Sequence, residues 1–199
     1  ARLQNDDGGF PWWQRGRESI PWVSVQATHA LVLAKANGYV VDQFRLDVAL
    51  DHIANIEDFI PQDYSQETND AVSAYALYVR NLAGDADPTK ALALYERGAE
   101  TTLQLDSIAQ LWTVIEDGGA RDTIERRIEN AAVETPSAAS FATAYGEDAY
   151  LIAHSDRRTD GIVLDALVRE TPDSDLIVKV VTGLLGNQMR GRWNNAQEN

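Results

Sequence analysis

The stretch "AVSAYALYV", residues 71–79, decides how we expect this chain to fold. Its apolar residues occupy nearly the whole circumference of a predicted helix, as they also do in "SIAQLWTVI", residues 107–115, and in "GIVLDALV", residues 161–168. A helix that has no polar face must be covered on several sides by other parts of the chain. We therefore predict that these three helices lie in the interior.

Other predicted helices carry one apolar stripe and one polar face. In residues 42–59 the stripe includes Leu46 and Ile53, whereas Asp47 and Asp51 lie on the opposite side. Residues 121–133 repeat this pattern, with Glu125 on the face expected to meet solvent, so covered and half-covered helices alternate along the chain. Successive helices joined by short loops run antiparallel, and the alternation therefore indicates helical hairpins with one inner and one outer member. We predict an all-α fold, a two-layer alpha/alpha toroid of antiparallel helical hairpins that is incomplete at both ends. An open helical solenoid would show the same periodicity.

Glycine, proline and capping residues predict where the helices begin and end. Gly38, Gly84 and Gly118 follow apolar runs, where a left-handed C-terminal cap favours glycine. Asp87-Pro88 and Thr171-Pro172 each pair a capping side chain with a proline at the first helical position. The predicted helices are residues 21–37, 42–59, 66–83, 88–98, 103–117, 121–133, 156–170 and 173–185, and a ninth begins near Trp193.

Composition limits the classes of protein that the chain can represent. With 199 residues, 44% of them hydrophobic, residues 1–199 are expected to form one domain. The formal net charge of −14 argues against nucleic acid and against anionic membranes as partners. No apolar run reaches the length of about 18 residues that a membrane span requires. The absence of cysteine excludes a disulfide framework, a cysteine-ligated zinc ion and a thiol nucleophile within these residues.

The polar residues that could carry chemistry have simpler interpretations. His29, His52 and His154 lie on separate segments without the spacing of a zinc motif, so we expect no metal site. An aspartate pair, residues 6 and 7, precedes two glycines, which is typical of a turn. Asp160 enters a strongly apolar helix. If its side chain points inward it must be paired, with Arg157, Arg158 or a backbone amide at a helix end.

The chain opens on "QNDDGGFPWW", residues 4–13, and closes on "GRWNNAQEN", residues 191–199. Gly8 and Gly9 permit backbone angles that other residues avoid, which would let Phe10, Trp12 and Trp13 fold back over a helix end and seal the gap between hairpins. A ligand cleft lined by Trp12, Trp13 and Trp22 is the less favoured alternative.

Two further segments belong with these: "PWVSVQATHALVLAKANGY" at residues 21–39 and "HSDRRTDGIVLDALV" at residues 154–168. Together the segments resemble the thioester-containing helical domain of the alpha-2-macroglobulin family, particularly its bacterial members. The closing segment resembles a Gly-x-Trp turn that leads into a helix of that domain. The resemblance implies structural turn motifs at two places in this chain. They comprise Gly8, Gly9, Phe10, Trp12, Trp13, Gly191, Trp193 and Gln197.

The resemblance also implies a function for the parent protein. Members of the family are broad-spectrum endopeptidase inhibitors that trap proteases after cleavage of a bait region, and the parent would act in the periplasm or outside the cell. Its partners would be proteases and the other domains of the same chain. The family's thioester joins a Cys and a Gln in a Cys-x-Glu-Gln motif upstream of the Gly-Gly-Phe turn. Because this chain has no cysteine, no thioester residue is assigned to it. We expect no catalytic residue, no cofactor and no enzymatic activity.

Two other functions stay open from the residues alone. An alpha/alpha-toroid enzyme acting on an isoprenoid or a glycan would need several carboxylates around a deep axial pocket. A helical scaffold that binds a protein partner on its concave face would need an exposed apolar patch there. If the ring is interrupted after residue 199, apolar residues in 162–167 and 176–185, together with Trp193, would be uncovered. We would then expect self-association through this open edge.

Overall fold

Helices dominate the fold of the computed structural model, which describes residues 2–188 and Arg192. The all-α prediction is confirmed over these residues. The α-helices are α1 (Pro21–Ala36), α2 (Gln43–Ala54), α3 (Gln66–Leu82), α4 (Pro88–Gly98), α5 (Leu105–Trp112), α6 (Gly118–Ala131), α7 (Asp156–Glu170) and α8 (Asp175–Gly186). Short 3-10 helices follow α2 at Ile56–Phe59 and precede α7 at Glu147–Ile152. Two strands, β1 (Val133–Glu134) and β2 (Ala139–Ser140), pair antiparallel between α6 and α7.

The helices form two layers. The odd-numbered helices pack against one another in series, so that α3 lies between α1 and α5, and α5 lies between α3 and α7. Each even-numbered helix packs against the odd-numbered helix before it. We call the first set the inner layer and the second set the outer layer. Within the described residues no helix combines the length and the apolar character needed to cross a membrane.

Helix α3 is buried because two apolar clusters meet on it. Ala74 and Leu77 belong to the cluster that extends to α8, whereas Val72, Tyr75 and Val79 belong to the cluster formed with α1 and α2. Every residue from 71 to 79 is buried in consequence. A helix that serves a core on each side has no surface left for a polar face, which explains the apolar circumference seen in the sequence.

Helices α5 and α7 were also expected to be buried on several sides, and they are buried to different degrees. All of α5, including Leu111, is buried. In α7, Val163 and Leu167 are buried, but Leu164 is only half-buried and packs against the edge of the core. The expected burial of Leu164 is therefore only partly met. Helix α7 contacts inner-layer neighbours on one side only, which leaves the rest of its circumference less covered.

The outer helices bury narrow stripes. Ile124 and Ile128 are the buried residues of α6. Asp47 and Asp51 of α2 are exposed as expected, whereas Glu125 of α6 is half-buried rather than exposed.

Several helix ends agree with the sequence predictions, but two predicted helices are too long. The predicted helix 42–59 is α-helical only to Ala54 and is followed by a separate 3-10 helix, and the predicted helix 103–117 spans only Leu105–Trp112. Gly38 and Gly84 adopt positive φ angles of 81° and 83° after their helices, and the Asp87 carboxylate accepts a hydrogen bond from the Lys90 amide. Gly118 does not end α5. It is the first residue of α6, because the Asp117 carboxylate accepts from the Ala120 amide at 2.8 Å and caps that helix instead.

The predicted start of α8 at Thr171-Pro172 is also wrong. Thr171 follows the last residue of α7, and α8 begins after Ser174, whose hydroxyl accepts a hydrogen bond from the Leu176 amide. A serine cap nearer to the apolar run thus replaces the proline start. The predicted ninth helix near Trp193 lies outside the described residues.

Helix α8 lies in the outer layer and is held there by β2. Leu176 and Val180 are buried, whereas Val178, Val181 and Leu185 are exposed. A Cβ atom added at Gly183 would collide with the carbonyl oxygen of Ala139 in β2. The helix and the strand therefore approach closely only because residue 183 has no side chain.

This contact provides a test of the packing. We expect Gly183→Ala to lower the free energy of unfolding by about 1–3 kcal/mol, because backbone atoms must move apart to accommodate the methyl group. Gly186→Ala in the same helix is the matched control, since a Cβ there meets no atom within 4 Å. That variant should be neutral or slightly stabilising. Urea unfolding of both variants would measure the difference, and equal stabilities would contradict the close approach.

Candidate functional site

The N-terminal turn packs directly against α2. Gly8 has a φ angle of 87°, and a Cβ added there would collide with the Val48 carbonyl oxygen. A Cβ at Gly9 would lie 2.6 Å from His52 Cε1 and 2.7 Å from Ser19 Cβ. The side-chain amide of Gln4 donates to the carbonyl oxygens of Gly8 and Arg45. Both glycines are therefore needed at a backbone crossing between the turn and α2.

Asp7 and His52 complete this turn. One carboxylate oxygen of Asp7 accepts hydrogen bonds from the Gly9 amide and the Ser19 hydroxyl, each at 2.9 Å. The Nδ1 atom of His52 donates to the Asp7 carbonyl oxygen at 2.8 Å, and the imidazole stacks on Phe59. Burial lowers the pKa of His52, although the bond to Asp7 opposes this shift. His52 is thus a neutral structural residue at pH 7.

The tryptophans after the turn lie elsewhere than expected. Phe10 is buried, and its backbone bonds to both Ile20 and Ser24. Trp12 and Trp13 contact each other but are 51% and 87% exposed, so they do not fold back over a helix end. Because the chain is anchored at Phe10 and again at Ile20, residues 12–18 form an exposed loop. The other turn residues of the resemblance, Gly191, Trp193 and Gln197, lie outside the described residues.

A buried ion pair between Asp106 of α5 and Arg158 of α7 joins the inner helices. The carboxylate accepts from Arg158 Nη1 at 3.1 Å and also from the Tyr145 hydroxyl and the Ser107 amide. The guanidinium lies over the ring of Trp22 in α1, 4.5 Å from its centroid, and 5.9 Å from that of Tyr75 in α3. One arginine therefore contacts residues of all three other inner helices.

Asp160 is buried in α7 and is paired, as a buried carboxylate requires. The side chain is 1% exposed, and its oxygens accept from the Phe141 amide at 2.7 Å and from Arg157 Nη1 at 2.9 Å. Burial raises the pKa of Asp160, whereas both hydrogen bonds oppose that shift. The prediction that an inward-pointing Asp160 is paired is confirmed.

The four inner helices surround a cavity of about 370 Å³, which we call the inner-layer cavity. Residues of α1, α3, α5 and α7 all contribute to its wall. The polar and aromatic side chains that line it are His29, Tyr75, Tyr78, Gln110, Thr113, Arg157, Arg158, Asp165 and Arg169. Smaller apolar residues, among them Ala109, Ile162 and Ala166, complete the lining.

One side of the inner-layer cavity is aromatic and uncharged. His29 Nδ1 and the Tyr75 hydroxyl share a hydrogen bond of 2.8 Å, and the Tyr78 hydroxyl donates to Asp165 at 2.7 Å. Burial lowers the pKa of His29 and raises the pKa of Tyr75 to about 12. Burial is also the main cause that raises the pKa of Tyr78, and the hydrogen bond to Asp165 raises it further. At neutral pH both tyrosines are therefore protonated and His29 is neutral.

The other side of the inner-layer cavity is formed by α7 and carries three arginines. Arg169 Nε donates to Asp165 at 2.8 Å, and Arg157 and Arg158 are paired with Asp160 and Asp106 as described above. Of the three carboxylates, only that of Asp165 lines the cavity. The charges that line the cavity are thus three positive and one negative.

Gln110 of α5 is a polar residue whose side chain faces the inner-layer cavity. Its side chain lines the inner-layer cavity, the residue is 3% exposed, and its side-chain amide has no hydrogen-bond partner among the described residues. Sequence reasoning missed it because "SIAQLWTVI" was interpreted only as a buried helix. The signal was present as Gln110, the one amide among the three polar residues of that run.

Carboxylates and histidines are few in the described lining of the inner-layer cavity. Asp165 is its one lining carboxylate, so the carboxylate pair of a glycoside hydrolase is lacking among the described lining residues. The three histidines lie in different places: His29 in the cavity, His52 beneath the turn and His154 beside Tyr145. Within residues 2–188 and Arg192, no three metal-ligating side chains converge.

The Asp106–Arg158 pair can be tested by removing one partner. We expect Arg158→Met to lower the free energy of unfolding by about 3–5 kcal/mol, because Asp106 would stay buried without its cation. Arg15→Met is the matched control, since Arg15 pairs with Asp6, which is 95% exposed. That change should cost less than about 1 kcal/mol. Chemical denaturation would compare them, and similar losses in both variants would contradict the central position of Arg158.

Comparison with known proteins identifies the fold. No protein-family model matches the sequence, and no curated protein matches it significantly. Solved structures do match. A crystal structure of a Salmonella alpha-2-macroglobulin mutant has a TM-score of 0.77 at 19% identity, over 99% of this chain and 13% of that chain. Native Escherichia coli alpha-2-macroglobulin, from electron cryo-microscopy, has a TM-score of 0.76 at 19% identity, over 99% of this chain and 12% of that chain.

The trypsin-activated E. coli protein also matches, with a TM-score of 0.74 at 18% identity, over 99% of this chain and 13% of that chain. The chain spans about an eighth of the length of these proteins. The resemblance inferred from the sequence is therefore confirmed at the level of the fold. Over nearly its whole length, the chain has the helical fold found within bacterial alpha-2-macroglobulins.

Proposed function

We propose that this chain is a non-catalytic helical domain of an alpha-2-macroglobulin-like protein that traps proteases. The observation that carries the proposal is the likeness over 99% of the chain to structures that include E. coli alpha-2-macroglobulin activated by trypsin and by porcine elastase. Residues 1–199 would belong to a single alpha/alpha-toroid domain of the parent. The parent would act outside the cell or in the periplasm, and proteases would meet the whole protein rather than this domain alone.

The domain is suited to move as a rigid body. The chain matches the native E. coli structure with a TM-score of 0.76 and the elastase-activated and trypsin-activated structures with TM-scores of 0.76 and 0.74, although these structures differ in state. Within the chain, α3 belongs to both apolar clusters, and the Asp106–Arg158 pair connects the inner helices. We therefore expect bait cleavage in the parent to displace the domain without changing its internal packing.

The two alternatives have less support. An enzyme acting on a glycan or an isoprenoid would need several convergent carboxylates, whereas Asp165 is the one carboxylate among the described lining residues of the inner-layer cavity. A scaffold that binds a protein on its concave face would need an apolar patch there. The exposed stripe of Val178, Val181 and Leu185 lies instead on α8 in the outer layer.

The proposal is tested with the full-length protein that contains this chain. After incubation with trypsin or elastase, we expect a cleaved, more compact protein that retains the protease, which still cleaves a small chromogenic substrate but no longer digests a large protein. Trypsin with a chemically blocked active site is the control and should leave the protein unchanged. Cleavage that neither compacts the protein nor shields the protease would contradict a trapping function.

A second measurement concerns the chain itself. Since a thioester requires a cysteine thiol and these 199 residues contain none, we expect no incorporation of labelled methylamine into this chain. Intact-mass spectrometry should show an unchanged mass after incubation at neutral pH. A specific adduct on the isolated chain would show that it carries an acyl-transfer site of its own and would contradict the non-catalytic assignment.

A further inference from the structure

We propose that the inner-layer cavity binds a ligand that carries one carboxylate on a flat apolar body. The ligand would contact both the aromatic residues of α1 and α3 and the arginines of α7, which adjoin one another in the cavity wall, and Gln110 of α5 would contribute its amide. This site belongs to the chain itself and does not depend on the trapping function proposed for the parent.

The size and shape of the cavity suit a small aromatic or aliphatic acid. A volume of about 370 Å³ lies at the lower end of the range of about 300–1,000 Å³ that is typical of small-molecule sites. The rings of Tyr75 and Tyr78 are inclined by only 28°, and the His29 ring meets both edge-on. These rings provide an aromatic surface on one side of the cavity.

The charges on the α7 side of the cavity favour a single carboxylate. Each guanidinium has five N–H donors, and the bonds to Asp160, Asp106 and Asp165 each engage one nitrogen of Arg157, Arg158 and Arg169. Donors remain for a bidentate contact with a planar carboxylate. Asp165 lines the same cavity and would repel a multiply charged phosphate ligand. The chain's net charge of −14 also disfavours polyanions.

Gln110 is the observation that points to a ligand rather than to folding. Its side-chain amide faces the cavity, where no described residue bonds to it, so the fold does not use its N–H groups. Its side-chain N–H groups can instead donate to a bound carboxylate. The carboxylate could belong to a free small acid or to the C-terminus of a peptide, which present the same chemical group.

The test is a titration of the 15N-labelled 199-residue chain with benzoate and with benzamide, followed by NMR. We expect saturable shifts of the Gln110 side-chain amide and the Arg157 and Arg169 Nε signals with benzoate, and none with benzamide. A short peptide that ends in a free phenylalanine carboxylate, compared with its amidated form, distinguishes the two sources. Stronger binding of the free-acid peptide than of benzoate indicates a chain terminus, whereas binding of benzoate alone indicates a small acid, and both support the site.

Two variants separate binding from stability. Gln110→Met should leave the melting temperature nearly unchanged and weaken benzoate binding at least about tenfold, because a hydrogen bond to a charged group is lost while no bond within the protein is removed. Arg169→Gln should also weaken binding about tenfold, whereas Arg126→Gln, which changes an exposed arginine outside the cavity, should leave it unchanged.

Three results would overturn the proposal. The first is equal binding of benzoate and benzamide, which would show that the charge is not recognised. The second is a set of shifts that do not saturate or that lie outside the cavity residues. The third is a Gln110→Met variant with a lower melting temperature and unchanged benzoate affinity, which would assign Gln110 to folding.

Discussion

The arrangement of the inner helices depends on the buried ion pair between Asp106 and Arg158. Taking two charges out of water is costly, and such a pair is tolerated only when further contacts satisfy it. Here the Tyr145 hydroxyl and the Ser107 amide also donate to the carboxylate, and the rings of Trp22 and Tyr75 lie beside the guanidinium. These contacts come from all four inner helices and from the segment before α7. The pair therefore specifies how the helices are rotated as well as how closely they pack.

The same interaction shapes the inner-layer cavity. Arg158 lines the cavity while its charge is balanced by Asp106, and Arg157 is held in the same way by Asp160. Arginines that are fixed by buried carboxylates lose little further side-chain entropy when a ligand binds. The aromatic side is fixed as well, because Tyr78 and Arg169 both donate to Asp165. The interactions that stabilise the fold thus also preorganise the site.

The trapping function proposed for the parent requires that this chain keep its internal packing. Helix α3 is covered by two apolar clusters, so no plane between the inner helices separates the chain without exposing core residues. The N-terminal turn is likewise locked onto α2 by Gly8, Gly9 and the Gln4 amide. Both features resist deformation within the described residues.

The sequence by itself determined the helices, most of their ends and the burial of α3 and α5, because periodicity, caps and glycine conformations act within a few residues. Where two local signals competed, as at Asp117 and Gly118, the stronger cap decided. Only the tertiary structure placed Arg158 beside Asp106 and Tyr78 beside Asp165, pairs that are 52 and 87 residues apart. It also left Trp12 and Trp13 in solvent and Gln110 unpaired in a cavity. Periodicity shows which face of a helix is buried, but the rotation and offset of packed helices decide which side chains meet there.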